Sequence, residues 1–313
     1  MAFKPASQKF NAAINQVEIG SGDKKITLGG ECTLPFYTFD AEIPNAPKVG
    51  VELTDLGIDE TLPGIKEFYA GASTIAEQAA KISSMEGADF ISIRFEGADP
   101  NGENKSVDEC VEIAKAVAAA TDMPLVICGC KNAEKDADLF NKIAEALAGK
   151  NVLFLAAKEE NYKTVGASAG LAYNQKVGAE SAVDINLAKQ LNVVLGQLGV
   201  KNETIVMNVG TATAGYGFEY VVSTMDRIKA AALSQNDAAL QMPIMTPIAS
   251  ETYNVKEAVV SEDDFPEWGD RETRAIDMEV ATAAACLASG SNAVILKHPA
   301  SVATISKFIK ELM

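Results

Sequence analysis

Phe90-Ile91-Ser92-Ile93-Arg94-Phe95-Glu96-Gly97-Ala98-Asp99-Pro100-Asn101 is the stretch from which the fold can be read. Over Phe90–Phe95, Ser92 and Arg94 alternate with Ile91, Ile93 and Phe95, the period of two that marks a strand with two different faces. Glu96 and Gly97 break the pattern. Ser106 then stands three residues before Glu109, the spacing of a capping box, and opens a helical pattern that runs to Ala120. Pro124–Cys128 is the next apolar run, so the motif is strand, loop, helix, strand.

Working outward, the same unit recurs along the chain. Lys48–Leu53 precedes a helix at Ser73–Glu86. Pro124–Cys128 precedes Ala133–Ala148, Asn151–Ala156 precedes a short helix near Glu160–Ala167, and the weakly apolar Lys176–Gly178 precedes Val183–Leu198. Thr204–Asn208 leads to Phe218–Leu233, Pro243–Thr246 to Arg271–Ser289, and Ala293–Lys297 to Ser301–Leu312. Eight such units predict an α/β protein, a (β/α)8 TIM barrel over residues 48–313. An open doubly wound sheet is the alternative, but its glycine-rich phosphate fingerprint is missing. Residues 1–47 stand outside the alternation. Gln16–Ile19 and Lys25–Leu28 flank Gly20-Ser21-Gly22-Asp23, which predicts a β-hairpin extension capping the N-terminal mouth of the barrel.

Composition narrows the function. The 313 residues carry 27 Lys and Arg against 43 Asp and Glu, a net charge of −16 that repels phosphate backbones and anionic lipid. Nucleic-acid and membrane partners are therefore not expected, and with no apolar leader the expected location is the cytoplasm. The five cysteines show no Cys-x-x-Cys spacing, so they read as reduced thiols rather than a disulfide framework or a cluster-binding set. One histidine, His298, leaves zinc and Ser-His or Cys-His chemistry almost without parts.

In a barrel of this kind the site lies at the C-terminal ends of the strands. The residues there are Thr54-Asp55, Arg94 to Glu96, Cys128-Gly129-Cys130, Lys158 to Asn161, Asn208 to Thr211, Thr246-Pro247 and Lys297-His298. Glu52 and Arg94 are expected to face inward as an ion pair. Lys158 and Lys297 could form a Schiff base only beside a positioned acid or base, and none is evident. Gly210-Thr211-Ala212-Thr213-Ala214-Gly215-Tyr216-Gly217 lets a large flat ligand approach the backbone, although a tight structural turn explains it equally well. Ala249–Arg274, about 25 residues where such loops run to 2–6, holds Phe265 and the lone Trp268 among acids. A partner interface and a solvated loop with Trp268 folded onto its own barrel are both open readings.

The stretch quoted first, together with Pro124-Leu-Val-Ile-Cys-Gly-Cys-Lys-Asn-Ala-Glu-Lys-Asp, Phe265-Pro-Glu-Trp-Gly-Asp and Leu296-Lys-His-Pro-Ala-Ser-Val, resembles the small subunit of the corrinoid/iron–sulfur protein. This is the acetyl-CoA decarbonylase/synthase delta-subunit family of the reductive acetyl-CoA (Wood–Ljungdahl) pathway of carbon dioxide fixation in anaerobes. The resemblance spans essentially the whole chain. It implies a barrel related to pterin-binding methyltransferases and paired with a large subunit, which carries a [4Fe–4S] cluster and binds most of a cobalamin at the shared interface. It also implies that a methyltetrahydrofolate:corrinoid methyltransferase delivers the methyl group, and that CO dehydrogenase/acetyl-CoA synthase receives it. On that reading Glu96, Asn161, Asn208, Gly210, Thr211, Tyr216 and Thr246 wall the corrinoid, and Phe265 and Trp268 meet a partner. No residue is assigned to catalysis or to a metal. The alternative is a free-standing pterin-binding methyltransferase using Asp55, Asn161 and Asn208, with a lysine-dependent aldolase more distant.

Overall fold

The computed structural model describes residues 7–313. Two short strands, β1 (Val17–Ile19) and β2 (Ile26–Leu28), form an antiparallel hairpin. Eight parallel strands follow: β3 (Lys48–Thr54), β4 (Phe90–Arg94), β5 (Leu125–Cys128), β6 (Leu153–Ala157), β7 (Lys176–Glu180), β8 (Ile205–Asn208), β9 (Met245–Pro247) and β10 (Ala293–Leu296). They are ordered β8-β7-β6-β5-β4-β3-β10-β9, and the two ends of that row meet where Met207 donates its N–H to the Pro243 carbonyl at 2.8 Å. The sheet thus curls into a barrel, and the open doubly wound alternative is excluded.

The period-two pattern sorts side chains as a barrel requires. Ile91, Ile93 and Phe95 join an outer core with residues of the surrounding helices, including Ile82, Cys110, Ala114 and Val117. Phe90, Val126, Leu153, Val206, Met245 and Ala293 face inward. The same inner cluster contains Val17, Ile19, Ile26 and Leu28, so the hairpin packs on the barrel interior at its N-terminal end. Asn151 fastens it there by donating to the carbonyls of Glu18 and Gly20 at 3.0 and 2.9 Å.

The helices are α1 (Pro63–Phe68), α2 (Ile75–Ile82), α3 (Val107–Ala120), α4 (Ala133–Ala146), α5 (Tyr162–Val165), α6 (Ile185–Leu198), α7 (Phe218–Ser234), α8 (Ala249–Thr252), α9 (Lys256–Val259), α10 (Arg271–Ser289) and α11 (Pro299–Leu312). Ser106 and Glu109 form the expected capping box on α3, and Thr74 and Glu77 form another on α2. Three expectations shift. Helix α5, expected as a short helix near Glu160–Ala167, is a single α turn that widens into a π-helix over Gly166–Ala172. Helix α6 starts at Ile185, because Asp184 caps it and Ala182 and Val183 have positive φ. Strand β7 runs two residues further than Gly178, to Glu180, and so brings a carboxylate to the mouth.

One buried polar cluster ties the segment after the hairpin to the barrel. Lys229 on α7, 2% exposed, lies 2.7 Å from the carboxylate of Glu31, which also accepts from Asn292 at 2.9 Å. Removing one partner strands a charge away from water. Lys229→Ala is therefore expected to lower the unfolding free energy by about 3–5 kcal/mol, seen as a lower urea midpoint, whereas Lys229→Met combined with Glu31→Leu recovers most of the loss.

Candidate functional site

The C-terminal mouth of the barrel is divided in two. Lys131 follows β5 and Glu251 follows β9, strands four steps apart in the ring of eight, and their side chains meet at 3.1 Å. This strap crosses the mouth. On one side lies a lobe of about 270 Å³ bounded by the ends of β5 to β9. On the other lies a lobe of about 420 Å³ bounded by the ends of β3, β4 and β5, the segment after β9, and Lys297 after β10. Arg94 borders both lobes.

The expected inward pair forms the floor: the Arg94 Nε donates to Glu52 Oε2 at 2.9 Å. Burial disfavours the guanidinium charge, but the neighbouring carboxylate more than offsets it and holds Arg94 firmly cationic. Beside it, Asp136 accepts from the Cys130 N–H at 2.7 Å and from its thiol at 3.2 Å. Gly129 has to be glycine, because a Cβ there would lie 2.2 Å from the Asp136 carboxylate. Burial raises the Cys128 thiol pKa and pushes that of Cys130 up to about 12, so neither is a thiolate at neutral pH. Cys128-Gly129-Cys130 is thus a packed strand end.

The smaller lobe holds a looser polar set. Lys158 Nζ and Glu180 Oε1 are 3.6 Å apart, and Asn208 Nδ2 lies 3.4 Å from Glu180 Oε2. The other end of the Asn208 amide is committed, accepting from the Gly210 N–H at 3.0 Å. Gly210 has φ +79°, and opposite it Ala182 and Val183 also occupy the left-handed region, with φ 45° and 63°. Two consecutive non-glycine residues there, one of them β-branched, mark backbone held under strain at the cavity wall.

His298 is consumed structurally. It is 3% exposed, its Nδ1 accepts from the Ala300 N–H at 3.1 Å to cap α11, and its Nε2 lies 3.1 Å from Glu272. Behind it the buried Glu279 accepts from the backbone N–H groups of Lys297 and His298 at 2.6 and 3.2 Å. Lys297 itself lies over the Tyr253 ring, 4.8 Å from its centroid.

Of the residues singled out from the sequence, Asn208, Gly210 and Thr211 line the smaller lobe and Glu96 the larger. Asn161 and Thr246 line neither lobe. The Asn161 amide closes its own loop, accepting from Lys158 N–H at 2.7 Å and donating to the Ala133 carbonyl at 3.0 Å. Thr246, 1% exposed, meets the Ser291 hydroxyl at 2.8 Å inside the barrel, and its neighbour Pro247 lines the lobe instead. Tyr216 stands on the rim, 48% exposed, with its hydroxyl on Glu257. Asp55 is committed to the Gly97 N–H at 2.8 Å and to Lys105 at 3.4 Å, which leaves Asn208 alone of the three pterin candidates facing the lobe. Lys131, Glu180, Glu251 and Tyr253 were not foreseen. Phe265 and Trp268 stack with ring centroids 4.4 Å apart, and Lys256 and Arg274 lie over them. Among the described residues no three or more His, Cys, Asp or Glu are grouped to hold a metal ion, and no helix is long and apolar enough to cross a membrane.

An eight-stranded parallel barrel with its polar groups at the C-terminal mouth defines a TIM-barrel protein. Solved structures agree on the fold. Dihydropteroate synthase from Vibrio fischeri superposes with a TM-score of 0.57 at 12% identity over 94% of this chain and 97% of that one. The Yersinia pestis enzyme with a pterine-sulfa conjugate gives 0.53 at 14% identity over 85% and 93%. Sequence goes further: residues 16–299 match the CO dehydrogenase/acetyl-CoA synthase delta subunit family, and the chain belongs to it. Delta subunit 2 of the acetyl-CoA decarbonylase/synthase complex of Methanosarcina acetivorans is 31% identical over 94% of this chain and 67% of its own length. The delta subunit of Archaeoglobus fulgidus is 29% identical over 99% of this chain and 71% of its own.

Burial pushes the Glu279 carboxyl up to about 7 from an ordinary 4.5. Between those values the folded chain binds more protons than the unfolded one, so the stability this group contributes is present below pH 4.5 and lost as pH rises through 7. Glu279→Gln is expected to remove that decline, gaining on the wild type by on the order of 3 kcal/mol between pH 4.5 and 8, measured by chemical denaturation across the range.

Proposed function

We propose that this chain is the barrel subunit of a cytoplasmic, cobalamin-dependent methyl carrier and that its C-terminal mouth closes over a corrinoid held mainly by a large subunit. The observation that carries this reading is the form of the mouth. It is polar, open and split into lobes of about 270 and 420 Å³, and pockets that enclose drug-sized ligands run to ~300–1,000 Å³. A corrin ring with its side chains exceeds either lobe, so it can only lie across the opening, and a second chain must cover its far face. The strained wall and the glycine turn at Gly210 suit close approach of a flat ligand to backbone. The lone imidazole is tied into the α11 cap, so this chain would offer no free imidazole to a cobalt, and the [4Fe–4S] cluster too would belong to the partner.

When bound, the corrinoid would supply methyl-carrier chemistry between a methyltetrahydrofolate-dependent methyltransferase and CO dehydrogenase/acetyl-CoA synthase. This chain's own part is positional. Asn208, Gly210 and Thr211 wall one side, Glu96 stands on the other, and the Arg94–Glu52 pair closes the floor against water. The delta-subunit name of the relatives supports membership of such a complex. Among its exposed acids, the Phe265–Trp268 stack offers a rigid aromatic surface of the kind that anchors interfaces.

Co-expression with the cluster-bearing large subunit is expected to give a 1:1 complex with co-eluting corrinoid and iron–sulfur absorption, while the chain alone elutes without corrinoid. Micromolar binding of methyltetrahydrofolate by the isolated chain would overturn this in favour of a pterin-binding methyltransferase. Trp268→Ala is expected to weaken assembly of the complex by about 2 kcal/mol, roughly thirtyfold in Kd, measured by isothermal titration calorimetry.

A further inference from the structure

We propose that the smaller lobe, between the ends of β6, β7 and β8, is a receptor for a neutral primary carboxamide. Resting on the corrinoid reading above, its occupant is one of the carboxamide side chains that fringe a cobalamin. The argument starts from what the lobe leaves unmet. Two of the mouth's cations are closely engaged within the chain, Arg94 by Glu52 at 2.9 Å and Lys131 by Glu251 at 3.1 Å. Lys158, Glu180 and Asn208 are not. Their contacts with one another are 3.6 and 3.4 Å, and Lys158 Nζ lies 3.5 Å from the Lys131 carbonyl, all at or beyond the reach of a well-made hydrogen bond. In the open chain water meets these groups, since the Lys158 and Glu180 side chains are 23% and 31% exposed. Once a partner covers the mouth that water is lost, and donors and acceptors left unmet become costly.

The three groups define what can replace the water. Lys158 Nζ and Asn208 Nδ2 only donate, because the Asn208 carbonyl oxygen is already used by the Gly210 N–H. Glu180 only accepts. A primary carboxamide carries one carbonyl for the donors and an NH2 for the carboxylate, and it adds no charge to a pair that is already neutral. A carboxylate would face Glu180, and a cation would face Lys158. The lobe therefore selects against both.

The test uses the assembled complex with the large subunit, loaded with cobinamide, which carries side-chain carboxamides, or with cobyrinic acid, in which they are carboxylates. Both lack the nucleotide base. Dissociation constants are read from corrinoid absorbance in equilibrium dialysis, and the measured quantity is the preference for cobinamide over cobyrinic acid. Contacts made by the large subunit are common to all variants and cancel. Glu180→Gln leaves Lys158 unbalanced and is expected to reduce the preference at least about tenfold. Lys158→Met leaves Glu180 unbalanced and is expected to raise it. Opposite shifts from two neighbouring substitutions do not arise from misfolding. A preference unchanged in both variants, with cobinamide still held by the wild-type complex, overturns the carboxamide receptor and leaves the corrinoid reading standing. Failure of the wild-type complex to hold cobinamide overturns both.

Discussion

The ion pair between Arg94 and Glu52 sets the terms for the rest of the barrel. Two charges point into a closed eight-stranded sheet, where each would be prohibitively costly alone. Together they cap an apolar interior that begins at Phe90, Val126 and Leu153, and they turn the C-terminal end into a polar floor. Below the pair the barrel is packed solid. Above it lies the mouth, whose side chains are sorted by whether the chain itself satisfies them. Asp136, Asp55, Asn161 and His298 are all spent on backbone groups of their own or neighbouring loops.

Much of this was legible in the sequence where local chemistry decides the outcome. The alternation at Phe90–Phe95 and the Ser106 capping box read correctly because each depends on neighbours within a few residues. The family resemblance rested on the same local runs. What escaped reading is non-local or directional. The Lys131–Glu251 contact joins residues 120 apart in sequence. Glu180 was missed because Lys176–Glu180 has only Val177 and Ala179 as apolar residues to announce a strand, so its last residue looked like loop. Asn161 and Thr246 follow strand ends but line neither lobe, one bonding the Lys158 and Ala133 backbone and the other turned into the barrel, and no spacing rule records that direction.

The long segment after β9 shows how a loop with little regular structure is kept in shape. Arg274, from α10, donates to the carbonyls of Glu257 and Val260 at 2.6 and 2.7 Å, and its guanidinium lies 5.6 Å from the Trp268 ring. Lys256 approaches the stacked Phe265 from α9 at 4.1 Å. The ring is ordered by its own chain, and it stays partly exposed in a segment that also holds the exposed Glu262, Asp263 and Asp264. An aromatic surface held rigid in advance loses little freedom when something settles on it.

The hairpin of β1 and β2 has a consequence for traffic. By packing Val17, Ile19, Ile26 and Leu28 against the inward-facing residues, it stoppers one end of the barrel. The packed interior is closed below and open only at the C-terminal rim, so the molecule is a cup. Whatever is brought to the cup and whatever leaves it must use the same rim, so two visitors that need the same part of it exclude one another, and the order of their visits becomes a matter of which one the rim releases first.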